Sequence, residues 1–146
     1  MFDWLKFTLL GANDAVGTYE KINKSNIEYV SSVYMGNNRE PVELVWDTGS
    51  DWVVIETFEC LTCVGDLYDH SDDETWKPIP NTEGERNYGS ASTSGYEARD
   101  TICLSSFGPA CITGMHLFAI TDATGMDSVD GIIGISTGFS KIYEQG

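Results

Sequence analysis

Residues 42–54, VELVWDTGSDWVV, place one carboxylate, Asp47, inside a run that otherwise reads as two apolar strands joined by a tight turn. An ionisable group among core-forming residues is costly unless something pairs with it or uses it. The stretch therefore demands a fold that turns the chain sharply at Asp47 and presents its side chain to a partner or a cleft. The rest of the chain can support such a fold. Of its 146 residues 41% are hydrophobic and 12% aromatic, with only four prolines, which points to a globular, sheet-rich protein and away from disorder. A chain of this length suits a single domain over residues 1–146 and buries about 70% of the surface its unfolded form exposes.

Strand signals dominate the order of elements. Residues 27–35 (IEYVSSVYM) and 42–46 (VELVW) are β-rich runs separated by GNNREP, whose Gly, Asn and Pro form turns, so the pair reads as a hairpin. Residues 52–57 (WVVIET) form a further strand, and residues 64–84 are a polar, acidic loop. Residues 85–90 and 93–103 read as a long hairpin around a small-residue tip, Ser-Ala-Ser at 90–92. Residues 111–121 and 129–136 (VDGIIGIS) supply two more strands, and residues 138–143 allow one helical turn. Residues 1–25 read as an extension or an end strand, and no repeat or linker interrupts the chain.

Charge removes one class of partner. The formal net charge is −15 with only eight Lys and Arg, and nucleic-acid binding rests on clustered basic residues. No apolar run approaches the roughly 20 residues of a membrane span. The opening MFDWLKFTLLGAN has an apolar patch, but it carries an acid at position 3 and no basic region ahead of the patch, which argues against an intact signal peptide. Four cysteines remain. Cys60 and Cys63 are three apart, and Cys103 and Cys111 flank CLSSFGPAC, a hairpin loop by composition. Local pairing into two disulfides is the simplest reading and implies an oxidising compartment. A four-cysteine zinc site is the rival, weakened by the poor C-x7-C half. Asn23-Lys24-Ser25 fits an N-glycosylation acceptor.

Asp47-Thr48-Gly49-Ser50 after an apolar strand, Tyr88-Gly89-Ser90 about forty residues on, and Asp130-Gly131-Ile132-Ile133-Gly134 about forty beyond that occur in this order. The set resembles the N-terminal lobe of a pepsin-like aspartic endopeptidase from residue 26 onward. That resemblance implies an all-β lobe, a Greek-key or orthogonal β-sandwich or partly open barrel, with a flap hairpin and little helix. It implies that Asp47 is one of two carboxylates that share a proton and activate water against a peptide bond, with no cofactor and no metal. Gly49 would let the backbone approach Asp47, Ser50 would hydrogen-bond its outer oxygen, and Thr48 would reach toward a partner lobe. Residues 85–103 would form the flap, Tyr88 lining a substrate pocket and Gly89 and Ser90 presenting backbone groups to the peptide. Ile132 and Ile133 would form the apolar layer beneath the catalytic loop, Ile132 also bordering a subsite, while Asp130 would not be the second catalytic acid. Cys60–Cys63 falls where the family often has its first short disulfide.

Plainer readings stand beside these. Asp47 in isolation is an Asx-turn or cap residue, and Tyr88 an ordinary strand aromatic. His70 lies in the acidic loop and His116 on a strand with one solvated face, so neither reads as catalytic. Asp72, Asp73 and Glu74 read as a solvated loop with at most weak calcium affinity, and Trp46, Trp52 and Trp76 as packing groups. Two positions depart from the family pattern: Val54 stands where a Trp usually supports the flap Tyr, and Ala91 where the flap tip usually carries Gly. The chain also contains a single Asp-Thr-Gly triplet. The second aspartate must then come from a C-terminal lobe or from a second copy of the chain, as an isologous dimer would allow. A catalytically silent lobe that binds peptides or a protein partner is the alternative. The expected setting is the secretory pathway, outside the cell or in an acidic lysosomal or vacuolar compartment.

Overall fold

The computed structural model describes residues 6–8, 16–18, 29–126 and 129–136. Within residues 1–25, the backbone of β1 (Lys6–Thr8) pairs antiparallel with that of β2 (Val16–Thr18). The acceptor pattern at Asn23 and the helical turn expected at 138–143 lie outside the described residues, as do residues 27 and 28 of the first expected strand. Eight further strands follow: β3 (Val30–Met35), β4 (Glu40–Asp47), β5 (Val53–Glu56), β6 (Lys77–Pro78), β7 (Gly84–Tyr88), β8 (Ala91–Cys103), β9 (Cys111–Thr124) and β10 (Gly131–Gly134). The described residues form strands, turns and loops without a helix, as an all-β lobe requires.

The expected hairpin is present as β3 and β4, paired from Val30↔Val45 to Met35↔Glu40. Val42 and Leu44 point inward while Pro41 and Glu43 are exposed, the alternation that fixes register in a half-buried strand. The strands run in the order β3, β4, β10, β5, β9, β8. Two further residue pairs, Tyr34↔Cys103 and Met35↔Ile102, join β8 back to β3. The result is a ring closed by a narrow seam, which matches the partly open barrel anticipated from the sequence. Neighbours far apart in sequence build its middle: β10 lies parallel to β4 and antiparallel to β5, and β5 lies parallel to β9. All four residues of β5 are buried, as expected of a strand covered on both faces.

That double covering splits the apolar residues into two layers. Val53, Ile55, Leu117 and Ala119 pack with Val33, Met35, Val42, Leu44, Tyr68 and Trp76 on one side. Val54, Phe118 and Ile120 pack on the other with Cys60, Ala123, Trp52, Tyr88 and Ile132. Alternate residues of β5 and β9 thus serve opposite layers, the period-2 geometry of a strand. The second layer is the floor of the cleft described below. All four cysteines are consumed in disulfides, Cys60 with Cys63 and Cys103 with Cys111. No thiolate is left for the zinc alternative.

Three local expectations are corrected. The long hairpin is present as β7 and β8, but its tip is Gly89-Ser90, since Tyr88 pairs directly with Ala91. Gly89 takes the positive φ of 58°, so Ala91 needs none and sits buried in the strand. A two-residue hairpin loop wants glycine first, and local turn chemistry outweighed the small-residue run. The stretch at 64–84 is a loop that also contributes β6, paired with Ala98 and Arg99, and a bridge from Tyr68 to Thr57.

Finally, Asp73 is not simply solvated. Its Oδ2 lies 2.7 Å from the Tyr68 hydroxyl, which is 3.0 Å from Asp100 Oδ2; its Oδ1 lies 2.8 Å from Thr75 Oγ1, which is 2.6 Å from Asp100 Oδ1. Two hydroxyls thus bridge the two carboxyl groups through four close oxygen contacts. Burial, with Asp73 beside it, raises Asp100 to about 6, while hydrogen bonds from Tyr68, Thr75 and Asn37 outweigh burial and lower Asp73 to about 2.

Candidate active site

The Asp-Thr-Gly-Ser turn is held in place by the strand that ends the described chain. Gly134 of β10 stands opposite Asp47 in the parallel ladder. The Gly134, Ile135 and Ser136 amides donate to the carbonyls of Trp52, Asp47 and Ser50 at 2.8, 2.9 and 2.9 Å. This approach requires glycine: a Cβ at position 134 would lie 2.6 Å from both the Ser50 oxygen and the Trp52 nitrogen. The acid that opens β10 has a structural task. Asp130 accepts hydrogen bonds from the Glu43 amide at 2.7 Å and the Asp66 amide at 2.8 Å, tying β4 and the disulfide loop to β10.

So held, Asp47 is half-buried at the C-terminal end of β4, and its Oδ1 accepts a 2.9 Å hydrogen bond from the Gly49 amide. Thr48 and Gly49 are exposed at the turn. The Ser50 hydroxyl is buried and makes no hydrogen bond among the described residues, so the expected bond to Asp47 is absent in this lobe. The carboxylate opens into a cleft of ≈ 1110 Å³. One wall is the turn at 47–52 and the other is hairpin β7–β8, with Tyr88, Gly89, Ser90 and Ala91; Ile132 and Val129 border the floor. The structure therefore brings Asp47, Thr48, Gly49, Ser50, Tyr88, Gly89, Ser90 and Ile132 to one cavity from three separated segments. The cysteines lie apart from it.

Tyr88 packs on the second apolar layer with its hydroxyl buried and unpartnered among the described residues. Burial raises its pKa to about 12 against the charge of Arg86, with Asp51 and Asp47 adding to the rise. The hydroxyl therefore stays protonated and keeps its proton to donate.

Arg86, which the sequence reading did not single out as a site residue, also lines the cleft, and further side chains outside the lining hold it. Arg86 lies over the Trp52 ring at 4.9 Å and the Phe118 ring at 4.8 Å, and pairs with Glu97 Oε1 at 3.1 Å. Glu97 Oε2 is 2.8 Å from His116 Nε2, and the His116 ring meets Trp52 edge-on at 5.1 Å. The available signal was spacing, because Arg86 and Tyr88 are two apart on one strand and share a face. Val54, where the family pattern usually has Trp, is fully buried below. Trp52, two residues earlier, comes to the base of the hairpin instead. His116 is exposed beside fully buried Leu117, as its strand position implied. His70 is stacked on Trp76 at 4.0 Å, away from the cleft-lining residues.

No described helix is long and apolar enough to cross a membrane. Compared with known proteins, residues 28–145 match the family described as eukaryotic aspartyl protease. The chain is 29% identical over 121 residues to the vacuolar aspartic protease of Candida albicans, covering 78% of this chain and 28% of that protein. It is 24% identical over 120 residues to plasmepsin I of Plasmodium falciparum, covering 76% and 25%. Against syncephapepsin of Syncephalastrum racemosum it is 29% identical over 121 residues, covering 80% and 29%. The chain thus spans less than a third of the length of each of these relatives.

Proposed function

The chain belongs to the eukaryotic aspartyl protease family, and from that premise we propose that it acts as one lobe of an aspartic endopeptidase, with Asp47 as one of two catalytic carboxylates. The observation that carries the reading is the placement of Asp47. It is a half-buried carboxylate at the edge of a cleft walled by a hairpin whose tyrosine hydroxyl has no partner among the described residues. A peptide in extended form fits such a cleft, with Gly89 and Ser90 offering backbone groups from above and Ile132 apolar surface from below.

Asp47 needs a second carboxylate. This chain has one Asp-Thr-Gly triplet, so the partner acid comes from a C-terminal lobe or a second copy, meeting the exposed Thr48–Gly49 edge. One ionised carboxylate then takes a proton from water as it attacks the peptide carbonyl, while the protonated one donates to the carbonyl oxygen. Two acids a few ångströms apart cannot both ionise, which restricts the working range to acid. The two disulfides and the vacuolar relative support a site of action along the secretory pathway, in an acidic compartment or outside the cell.

The test is cleavage of a peptide library, with the second aspartate supplied by a C-terminal lobe or a second copy, at about pH 3–5, between the two ionisations of such a pair. We expect turnover that a statine-type mimic of the tetrahedral intermediate blocks and that Asp47→Asn abolishes. Turnover surviving Asp47→Asn removes Asp47 from the mechanism. The single triplet also favours a second reading, a silent lobe that holds peptide without cutting it. Stoichiometric peptide binding with no cleavage at any pH would establish that reading in place of the first.

A further inference from the structure

The base of hairpin β7–β8 carries a charged clamp that the apolar packing of the lobe does not require. Arg86 sits in β7, two residues before Tyr88. Its guanidinium carbon lies over the Trp52 ring, on the opposite wall of the cleft, and over the Phe118 ring of the second apolar layer, at 4.9 and 4.8 Å. One terminal nitrogen pairs with Glu97 at 3.1 Å and the other donates to the Glu85 carbonyl at 3.0 Å. The second oxygen of Glu97 holds His116, whose ring abuts Trp52, and the chain of contacts returns to its start. Four side chains from β7, β8, β9 and the segment after the Asp-Thr-Gly-Ser turn therefore meet at one point. A planar cation set against two rings and hydrogen-bonded through both terminal nitrogens has little rotational freedom. An apolar side chain there would fill space without fixing an angle.

We propose that Arg86 is a positioning residue: gripped by Trp52, Phe118 and Glu97, it sets the angle at which hairpin β7–β8 stands over Asp47, and so where Tyr88 meets a bound peptide. The inference rests on the proteolytic reading for its kinetic consequence, but its structural consequence stands apart.

Two measurements on the purified protein separate them. Arg86→Met keeps the stem and removes the planar charge; Arg86→Lys keeps the charge and removes the fork. Hydrogen exchange of the β7 amides at 86–88, normalised to β3–β4, should accelerate roughly tenfold in Arg86→Met, the effect of losing one local tether, and less in Arg86→Lys. Under the proteolytic reading, kcat per site titrated with a statine-type inhibitor should fall roughly tenfold in Arg86→Met, with KM changing less than about twofold, because misplacement acts on the transition state, and Arg86→Lys should recover part of the loss. Unchanged β7 exchange in Arg86→Met overturns the proposal whether or not the protein is active. Faster exchange with wild-type kcat per titrated site overturns the positioning role. If the wild-type protein cleaves nothing with the second aspartate supplied, the proteolytic reading fails and the exchange result alone decides whether Arg86 holds the hairpin.

Discussion

At the scale of single residues, Tyr88 in the cleft and Gly134 beside Asp47 in the ladder separate folding from function. The Tyr88 hydroxyl is buried with no partner among the described residues. Removing it leaves no broken bond inside the lobe, so Tyr88→Phe should change unfolding free energy by no more than about 0.5 kcal/mol in urea titration. A larger loss would mean that the hydroxyl is tied within the lobe and not reserved for a ligand. Gly134 is the opposite case. A methyl there meets backbone on two sides, and backbone cannot move aside as a side-chain end can. Gly134→Ala should cost about 1–3 kcal/mol, and by shifting residues 50–52 it should also reduce any turnover that depends on Asp47. Asp47 was legible because an acid in an apolar run is anomalous on its face. Gly134 was not, since one glycine among fifteen shows its constraint only when its neighbour across the ladder is known. Arg86 was missed for the same reason, since Glu97 and Phe118 reach it from other strands, and Asp73 because the Asn37 amide reaches it from a distant turn.

At the scale of elements, hairpins were easy to read and crossovers were not. β3–β4, β7–β8 and β8–β9 connect neighbours in sequence, and their turn residues announce them. The tip of β7–β8 was displaced because composition marks a loop while one glycine's φ sets its register. The insertion of β10 between β4 and β5 leaves no local trace, as parallel pairing depends on residues more than seventy apart. The Cys103–Cys111 disulfide bridges a β8–β9 pair of residues directly opposite in the ladder. Its loop closure contributes about 2.5 kcal/mol in the chain-entropy account. Replacing both cysteines by Ser should lower stability by roughly that amount in denaturant titration, with the cleft intact. A Cys60→Ser/Cys63→Ser pair should cost slightly less because its loop is shorter. Equal loss from both would argue that the loop-entropy account does not govern this lobe.

At the scale of the whole molecule, buried acids tie stability to pH. Glu56 is fully buried, with Oε2 accepting from the Gly65 amide at 3.0 Å and Oε1 unpartnered among the described residues. Burial, with Asp130 nearby, raises its pKa from 4.5 to about 7. A carboxyl whose folded pKa is raised holds its full contribution below the unfolded value and loses it as pH climbs through the folded one. For Glu56 that window is 4.5 to about 7, and the loss is on the order of 3 kcal/mol. Asp100, raised to about 6 within its ring of hydroxyls, loses stability over a slightly lower window, and Asp130 and Glu40 are raised as well.

Three groups oppose them, among them Asp69, which hydrogen bonds from Ser71 hold below its ordinary value. Asp73, lowered to about 2, stabilises above its ordinary value and loses that as pH falls through about 2. His70, lowered chiefly by burial against the pull of Glu59, Asp69 and Asp73, favours the folded lobe when neutral and loses stability in acid. The raised carboxyls outnumber these, and the net charge of −15 adds self-repulsion toward neutrality. The lobe should therefore melt roughly 10 °C higher at about pH 4.5 than at about pH 7.5, given a few degrees per kcal/mol at this size. Glu56→Gln, which keeps the acceptor for Gly65 and cannot ionise, should shrink that difference by about half whatever it does to the absolute melting temperature. A difference unchanged by the substitution would show that Glu56 carries no proton in the folded lobe and that the acid preference comes from Asp100, Asp130, Glu40 and the net charge.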